Sequence, residues 1–361
     1  MTFASLVIAL LSLLIGLLLL LGGGEALVSG ARRLARMRGM SPLLIGLTVV
    51  AFGTSMPELF ISMIATWRGH PEIMIGNVIG SNVANIGLIL AISILLFPVR
   101  LSFKDVATEL TMLHLATAVL FGLAFYGFFP RPVGWFFVGA IVVYTVWAYR
   151  VAIKAEPQGG EVAATTVGGE VDEPGVGQQT TTGGRGGTPD AALKGAGNEI
   201  KAVEPTADGS IAKALLLVGG GIAILIGGSE LFLRGAVSLA ETLGVSELVI
   251  GLTIVAIGTS LPELATCLVA IRQRQGAILV GNIIGSNLFN LLMVMGLTAA
   301  IIPFALPSQL LQRDLPVMLF FSLLILAAIS YRGRLGRGLG LFMLAAYVGY
   351  LAILAGQPTA A

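Results

Sequence analysis

The chain of 361 residues repeats itself at a fixed offset. Displaced by 205 positions, residues 41–85 fall on residues 246–290 without a gap, and 23 of the 45 aligned positions are identical. The first copy reads GLTVVAFGTSMPEL over 46–59 and GNVIGSNVAN over 76–85; the second reads GLTIVAIGTSLPEL over 251–264 and GNIIGSNLFN over 281–290. The match extends weakly back to Glu25/Glu230 and Gly30/Gly235. Chance likeness between apolar segments would pair Leu with Ile. Here Gly, Thr, Ser, Pro, Glu and Asn match in register, which marks a duplicated unit.

Composition decides the solvent. Hydrophobic residues make up 56% of the chain and charged residues 11%, against about 25% charged in soluble proteins. In water such a chain would expose large apolar patches and aggregate. The lipid bilayer is therefore the expected environment and partner, with no nucleic acid and no obligate protein partner indicated. A cytosolic enzyme, a secreted disulfide scaffold and a nucleic-acid binder are excluded on the same ground. The single cysteine, Cys267, has no second thiol to pair with.

A membrane helix needs roughly 20 mostly apolar residues. Ten such stretches are predicted, about 3–24, 43–66, 73–98, 107–127, 134–152, 211–233, 247–270, 277–303, 314–331 and 338–356, the third and eighth interrupted by Gly and Asn. The alternation of barrel strands is absent. The first stretch reads as a span rather than a signal peptide. It is long, lacks a basic leader and is followed by Arg32, Arg33, Arg36 and Arg38.

Cytoplasmic loops collect Lys and Arg. With the N-terminus outside, 17 of the 21 basic residues fall in inside loops and four, Arg68, Arg131, Arg234 and Arg313, fall outside. Both termini are thus expected outside the cell membrane. Residues 155–210 are rich in Gly, Thr, Ala and acids and nearly free of aromatics. They are expected to form a disordered cytoplasmic linker between a first half, 1–154, and a second, 211–361. The nine acids there lack the spacing of a Ca²⁺ loop. Five spans per half is an odd number, so the second copy is expected upside down relative to the first. The expected fold is an all-α polytopic membrane protein, ten transmembrane helices as two inverted five-helix repeats. The duplicated motifs lie in repeat regions of about 41–91 and 246–296. Inverted repeats with interrupted helices are a feature of secondary transporters, whose sites lie near the midplane between the repeats.

The repeated motif carries the chemistry. Pro57 lacks a backbone donor and disfavours helix at the residue before it. With Gly53 it is expected to free carbonyls around Ala51–Thr54, which membrane depth tolerates only where they line a cavity or bind something. Thr54 and Ser55 precede Glu58 by four and three residues, so the side chains share a helix face. Ala256, Thr259, Ser260, Pro262 and Glu263 repeat the pattern. A mid-span carboxylate costs at least a few kcal/mol and persists by pairing, by taking a proton or by binding a cation. The motif spans contain no Lys or Arg to pair with Glu58 or Glu263. Protonated glutamates acting as helix glue would leave the flanking Thr, Ser and opened carbonyls without a role. Asn77, Ser81 and Asn85 recur every four residues, as do Asn282, Ser286 and Asn290; ligation and inter-helix hydrogen bonding are both open to them. Gly76/Gly80 and Gly281/Gly285 have the spacing of close helix approach. Donors of oxygen alone suit Ca²⁺, Na⁺ or Mg²⁺, and two carboxylates balance one divalent or two monovalent ions.

GTSMPEL…GNVIGSNVAN and GTSLPEL…GNIIGSNLFN resemble the two alpha-repeats of the cation/calcium antiporter superfamily, closest to its prokaryotic sodium/calcium exchangers. The resemblance covers both halves and leaves out only the linker. It implies a secondary active antiporter exchanging Ca²⁺ for Na⁺ by alternating access, with no cofactor and no enzymatic activity. It further implies that Glu58 and Glu263 ligate calcium with the carbonyls of Thr54 and Thr259. Ala51 and Ala256 carbonyls, with Ser55, Ser81, Ser260 and Ser286, would serve sodium, and Asn85 and Asn290 would line the centre. One position departs: some prokaryotic members carry Asp where this chain has Asn290.

Ca²⁺/H⁺ exchange, with the same glutamates carrying protons, is the nearer alternative. A cation channel fits less well, since channels commonly build filters from symmetric subunits or carbonyl rings. A membrane enzyme lacks a visible nucleophile–base pair. His70, His114 and Cys267 have no expected chemistry. Glu25 and Glu230 are expected to be structural or at a gate rim, Asp105 and Glu109 interfacial, and Trp135 and Tyr331 in the interfacial belt.

Overall fold

The computed structural model describes residues 3–154, 210–242, 256–308 and 310–355. The expected linker 155–210 therefore lies outside the described residues except for Ser210, as do positions 247–255 of the seventh expected span. The helices, in chain order, are α1 (Phe3–Arg38), α2 (Pro42–Thr54), α3 (Met56–Trp67), α4 (Pro71–Leu96), α5 (Phe103–Tyr126), α6 (Arg131–Lys154), α7 (Ile211–Thr242), α8 (Ala256–Thr259), α9 (Leu261–Arg272), α10 (Gly276–Ile301), α11 (Leu310–Arg332) and α12 (Arg337–Ala355). Among the described residues, eight of these are long and apolar enough to cross a membrane. α2 and α3, bent by 41° at the break between them, are together long and apolar enough for a ninth, as a broken span or a re-entrant loop.

Two expectations change. Arg32, Arg33, Arg36 and Arg38 belong to the last turns of α1 instead of a loop, because nothing between Phe3 and Arg38 breaks the helix. Glu109, expected at the interface, is buried and accepts a hydrogen bond from the Tyr144 hydroxyl of α6. It lies on the face of α5 that also buries Val106, Leu110 and Leu113. Asp105 closes a capping box with Ser102 at the start of α5, and Trp135 and Tyr331 are exposed.

In lipid, helices associate through close packing and small residues, since the tails are as apolar as leucine. α1 and α7 show this directly. Glycines recur every seven residues on both, at 16, 23 and 30 and at 221, 228 and 235, which are the same positions under the 205-residue shift. A Cβ on Gly23 would lie 2.9 Å from Leu225 N, one on Gly221 2.6 Å from Leu27 N, and one on Gly235 2.8 Å from the Ala9 carbonyl oxygen. The pairing of low numbers with high ones makes the two helices antiparallel.

Other equivalent elements cross between the halves in the same way. A Cβ on Gly134 of α6 would lie 2.4 Å from Ala300 N of α10, and one on Gly340 of α12 would lie 2.7 Å from the Ala91 carbonyl oxygen of α4. α5 and α11 each end on a glycine in the left-handed region, Gly127 (φ 77°) and Gly333 (φ 58°). After these turns come β2 (Phe128–Phe129) and β4 (Arg334–Leu335). β2 pairs antiparallel with β3 (Phe304–Ala305), and β4 with β1 (Val99–Arg100). Each short ladder joins the two halves. α10 is almost wholly buried and forms the centre of the molecule with α4.

Gly221→Val puts its branched side chain against backbone atoms that cannot yield, and should cost about 1–3 kcal/mol. In detergent this reads as a lower thermal midpoint. Gly220, with open space around it, should accept Ala without such a fall.

Candidate cation site

The site is built where two helices break. Ser55 (φ −84°, ψ 4°) ends α2, and Ser260 (φ −89°, ψ 9°) ends α8. Pro57 and Pro262 follow in the first turns of α3 and α9, where a missing N–H costs nothing. Glu58 and Glu263 occupy those same first turns, where the positive end of a helix dipole favours a carboxylate. The preceding short helices end at the same place and direct the partial negative charge of their last carbonyls toward it. The Ala51 carbonyl, expected to be open, already accepts from Ser55 N–H at 3.0 Å, with the Thr54 hydroxyl oxygen 3.3 Å away.

All the named side chains converge on the buried interior. Thr54, Ser55, Glu58, Ser81, Asn85, Thr259, Ser260, Glu263, Asn282, Ser286 and Asn290 are each buried, with both glutamates at 0% exposure. Ala256 enters only through its backbone, which begins α8. Hydrogen bonds cross between the copies. Thr54 donates to Asn282 Oδ1 at 3.1 Å, and its equivalent Thr259 donates to Asn77 Oδ1 at 3.2 Å. The hydroxyls of Thr54 and Ser286 are 3.2 Å apart. Ser55 and Ser286 both donate to Glu263 Oε1, at 3.4 and 3.3 Å. Asn85 Nδ2 donates to Asn287 Oδ1 at 3.0 Å.

The two carboxylates differ in what surrounds them. Glu263 accepts those two hydroxyl bonds through one oxygen. Among the described residues, both oxygens of Glu58 have no hydrogen-bond partner, and neither do Ser81 Oγ, Ser260 Oγ, Glu263 Oε2, Asn85 Oδ1 and the amide atoms of Asn290. Neither glutamate forms an ion pair among the described residues. Leaving a polar group buried and unsatisfied costs about 1–3 kcal/mol, and more when it is charged. A cluster of unsatisfied oxygens around two carboxylates is the arrangement that a hard cation satisfies.

A second set of residues, not singled out by the sequence reading, orients the amides. Asn77 Nδ2 donates to Ser62 Oγ at 3.0 Å, and Asn282 Nδ2 to Cys267 Sγ at 3.7 Å. Ser62 and Cys267 are equivalent under the 205-residue shift, so each copy turns its amide oxygen toward the other copy's threonine. Asn287 Nδ2 donates to the Asn82 carbonyl at 3.3 Å. The identity of Asn82 and Asn287 in the GSN triplets was the available signal for that link. At the rim, Glu25 of α1 binds Arg272 and, at 2.8 Å, Gln273 Nε2, while Glu230 pairs with Arg234 at 2.7 Å along α7. Glu25 thus ties the end of α9 to α1, a structural role.

Comparison with known proteins agrees with this geometry. The family described as "Sodium/calcium exchanger protein" matches residues 8–150 and 213–356. The sodium/calcium exchanger MaX1 of Methanosarcina acetivorans is 32% identical over 344 residues, covering 95% of this chain and 97% of that protein. Inner membrane protein YrbG of Escherichia coli is 32% identical over 332 residues, 91% of each chain. Among solved structures, the sodium-calcium exchanger NCX_Mj soaked with zero Na⁺ and Ca²⁺ superposes with a TM-score of 0.73 at 28% identity, covering 97% of this chain and 99% of that one. The chain is a multi-pass membrane protein that belongs to the sodium/calcium exchanger family, within the cation/calcium antiporter superfamily, and is an exchanger rather than an enzyme.

Proposed function

We propose that this protein exchanges Ca²⁺ for Na⁺ by alternating access through one central site. The observation that carries the reading is that two repeat-equivalent glutamates are both fully buried, with Ser55 of the first motif donating to Glu263 of the second, among oxygens that lack partners among the described residues. Glu58 and Glu263 ligate Ca²⁺ with the carbonyls of Thr54 and Thr259. Na⁺ uses the Ala256 carbonyl and the second lone pair of the Ala51 carbonyl, beside its bond from Ser55 N–H, with Ser55, Ser81, Ser260 and Ser286. Asn85 and Asn290 line the centre. Ca²⁺ and Na⁺ then compete for shared oxygens, which couples opposite fluxes.

Sodium is favoured over the proton as counter-ion by the neutral donors. Protons need only the carboxylates, whereas the unpartnered hydroxyls of Ser81 and Ser260 and the amide oxygens of Asn85 and Asn290 complete the coordination of a metal cation. The doubly charged empty pocket resists moving through an apolar barrier, and cation binding removes that cost.

The reading extends to the whole chain. It comprises ten spans in two inverted five-helix halves, the seventh over 247–270, both termini outside the plasma membrane and the 155–210 linker in the cytoplasm. The antiparallel pairing of α1 with α7 and the two ladders between halves support the inversion.

Glu58→Gln and Glu263→Gln should each abolish Na⁺-gradient-driven Ca²⁺ uptake into vesicles and abolish Ca²⁺ binding by calorimetry, while the thermal midpoint stays near that of the parent. Near-normal flux in either would sink the shared site. Asn290→Asp should keep some transport and introduce a pH dependence, because it adds a titratable group at the centre. A profile with no change in pH dependence or cation affinity would place residue 290 away from the ions. Cys267→Ser should be tolerated, since Ser62 fills the equivalent position. On that background a cysteine in the linker should resist impermeant thiol reagents added outside intact cells; ready labelling would reverse the topology.

A further inference from the structure

We infer that a cleft of about 800 Å³ between α1, α2, α6, α7 and α10 is a binding site for one anionic diacyl phospholipid. The walls are apolar, including Leu44, Val49, Val142, Val146, Leu215 and Ile222, and the cleft is open on one side. The lining also includes Phe52 and Phe289, whose rings meet edge to face at 5.7 Å. The rim carries Arg38 and Arg150. Arg38 is the last residue of α1 and Arg150 lies in the last turns of α6, so both sit at helix ends, where a membrane interface falls.

Length and charge identify the occupant. From Arg150 back to Ile141, or from Ile211 on to Ile222, the cleft follows nine to eleven helical residues, about 13–17 Å. One leaflet of hydrocarbon is about 15 Å deep. The cleft thus receives acyl chain from the headgroup level to the midplane. Arg38 donates to the Tyr149 hydroxyl at 2.7 Å, which holds the guanidinium over the cleft mouth and leaves donors for a phosphate, whose geometry a guanidinium fork matches. Neither arginine forms an ion pair among the described residues. Two cations at the rim favour a headgroup with net negative charge over one that brings its own ammonium.

The repeat argues that the basic rim is more than packing. Arg38 corresponds to Leu243 under the 205-residue shift, and α6 and α12 are offset by 206 residues, as Gly134 and Gly340 show, so Tyr149 and Arg150 correspond to Ala355 and Gly356. The duplicated framework does without these polar groups in its other copy, so helix packing alone does not call for them.

The test is native mass spectrometry of the purified full chain in detergent, with equimolar phosphatidylglycerol and phosphatidylcholine of identical acyl chains. The parent should retain one phosphatidylglycerol in preference to phosphatidylcholine. Arg38→Ala combined with Arg150→Ala should lower that preference about ten-fold or more, whereas Arg38→Lys with Arg150→Lys should keep most of it. Val146→Trp, which fills the cleft, should reduce retention of both lipids. Ca²⁺ binding in the same detergent should be unchanged in all three, which separates this site from the cation site and confirms folded protein. Equal retention of the two lipids by the parent, or an undiminished preference in the alanine pair, overturns the proposal.

Discussion

Two carboxylates without a basic partner, held where almost no water reaches, set the terms for the rest of this molecule. An isolated buried charge is among the most costly features a fold can carry. In a membrane segment it persists only with a partner or a function. Among the described residues no Lys or Arg pairs with Glu58 or Glu263. The chain surrounds them with hydroxyls, amides and helix ends, groups that each contribute a partial charge and leave room for a mobile positive one. The breaks at Ser55 and Ser260 follow from the same requirement. A continuous helix would spend its carbonyls on its own ladder, whereas a broken one presents carbonyls from the first segment and a favourable dipole to the glutamate of the second.

Close packing keeps that arrangement in place. α4 and α10 begin wide helical turns at Asn85 and Asn290, the points where their polar stripes reach the centre, and such π turns often accompany functional positions. The outer helices α6 and α12 press glycines onto the opposite half, and α1 and α7 meet along glycine rows. The halves are therefore locked through backbone contacts at several heights, while Glu25 and its Arg272 and Gln273 partners join α1 to the end of α9 at the rim.

The two glutamates are equivalent in sequence and unequal in surroundings. Ser55 and Ser286 both donate to Glu263. Among the described residues, the hydroxyls of their counterparts Ser260 and Ser81 have no partner, and Glu58 has no donor on either oxygen. A duplicated motif in a folded chain need not hold symmetric hydrogen bonds, because one set of hydroxyl rotamers serves only one carboxylate at a time.

Much of this was legible in the linear chain. The 205-residue offset, the paired GTSxPE and GSN segments and the low charge content identified a duplicated membrane protein with Glu58 and Glu263 at its core. These signals are chemical: Gly, Pro and Glu in an apolar run violate local preference, and such violations mark sites. The pattern of apolar residues also located most spans, since hydrophobic length is a local property. What the sequence left open depended on which helix meets which. It placed Glu109 at the interface, because nothing local announces the Tyr144 hydroxyl that receives it from another helix. It passed over Ser62 and Cys267, ordinary small residues until Asn77 and Asn282 lie against them. It counted Ala51 among the opened carbonyls, but Ser55 N–H continues the helical ladder onto that oxygen. The inequality of the two glutamates, the glycine contacts between α1 and α7 and the arginine-rimmed cleft are likewise decided only in three dimensions, because each needs two elements far apart in the chain to come within hydrogen-bond or van der Waals distance.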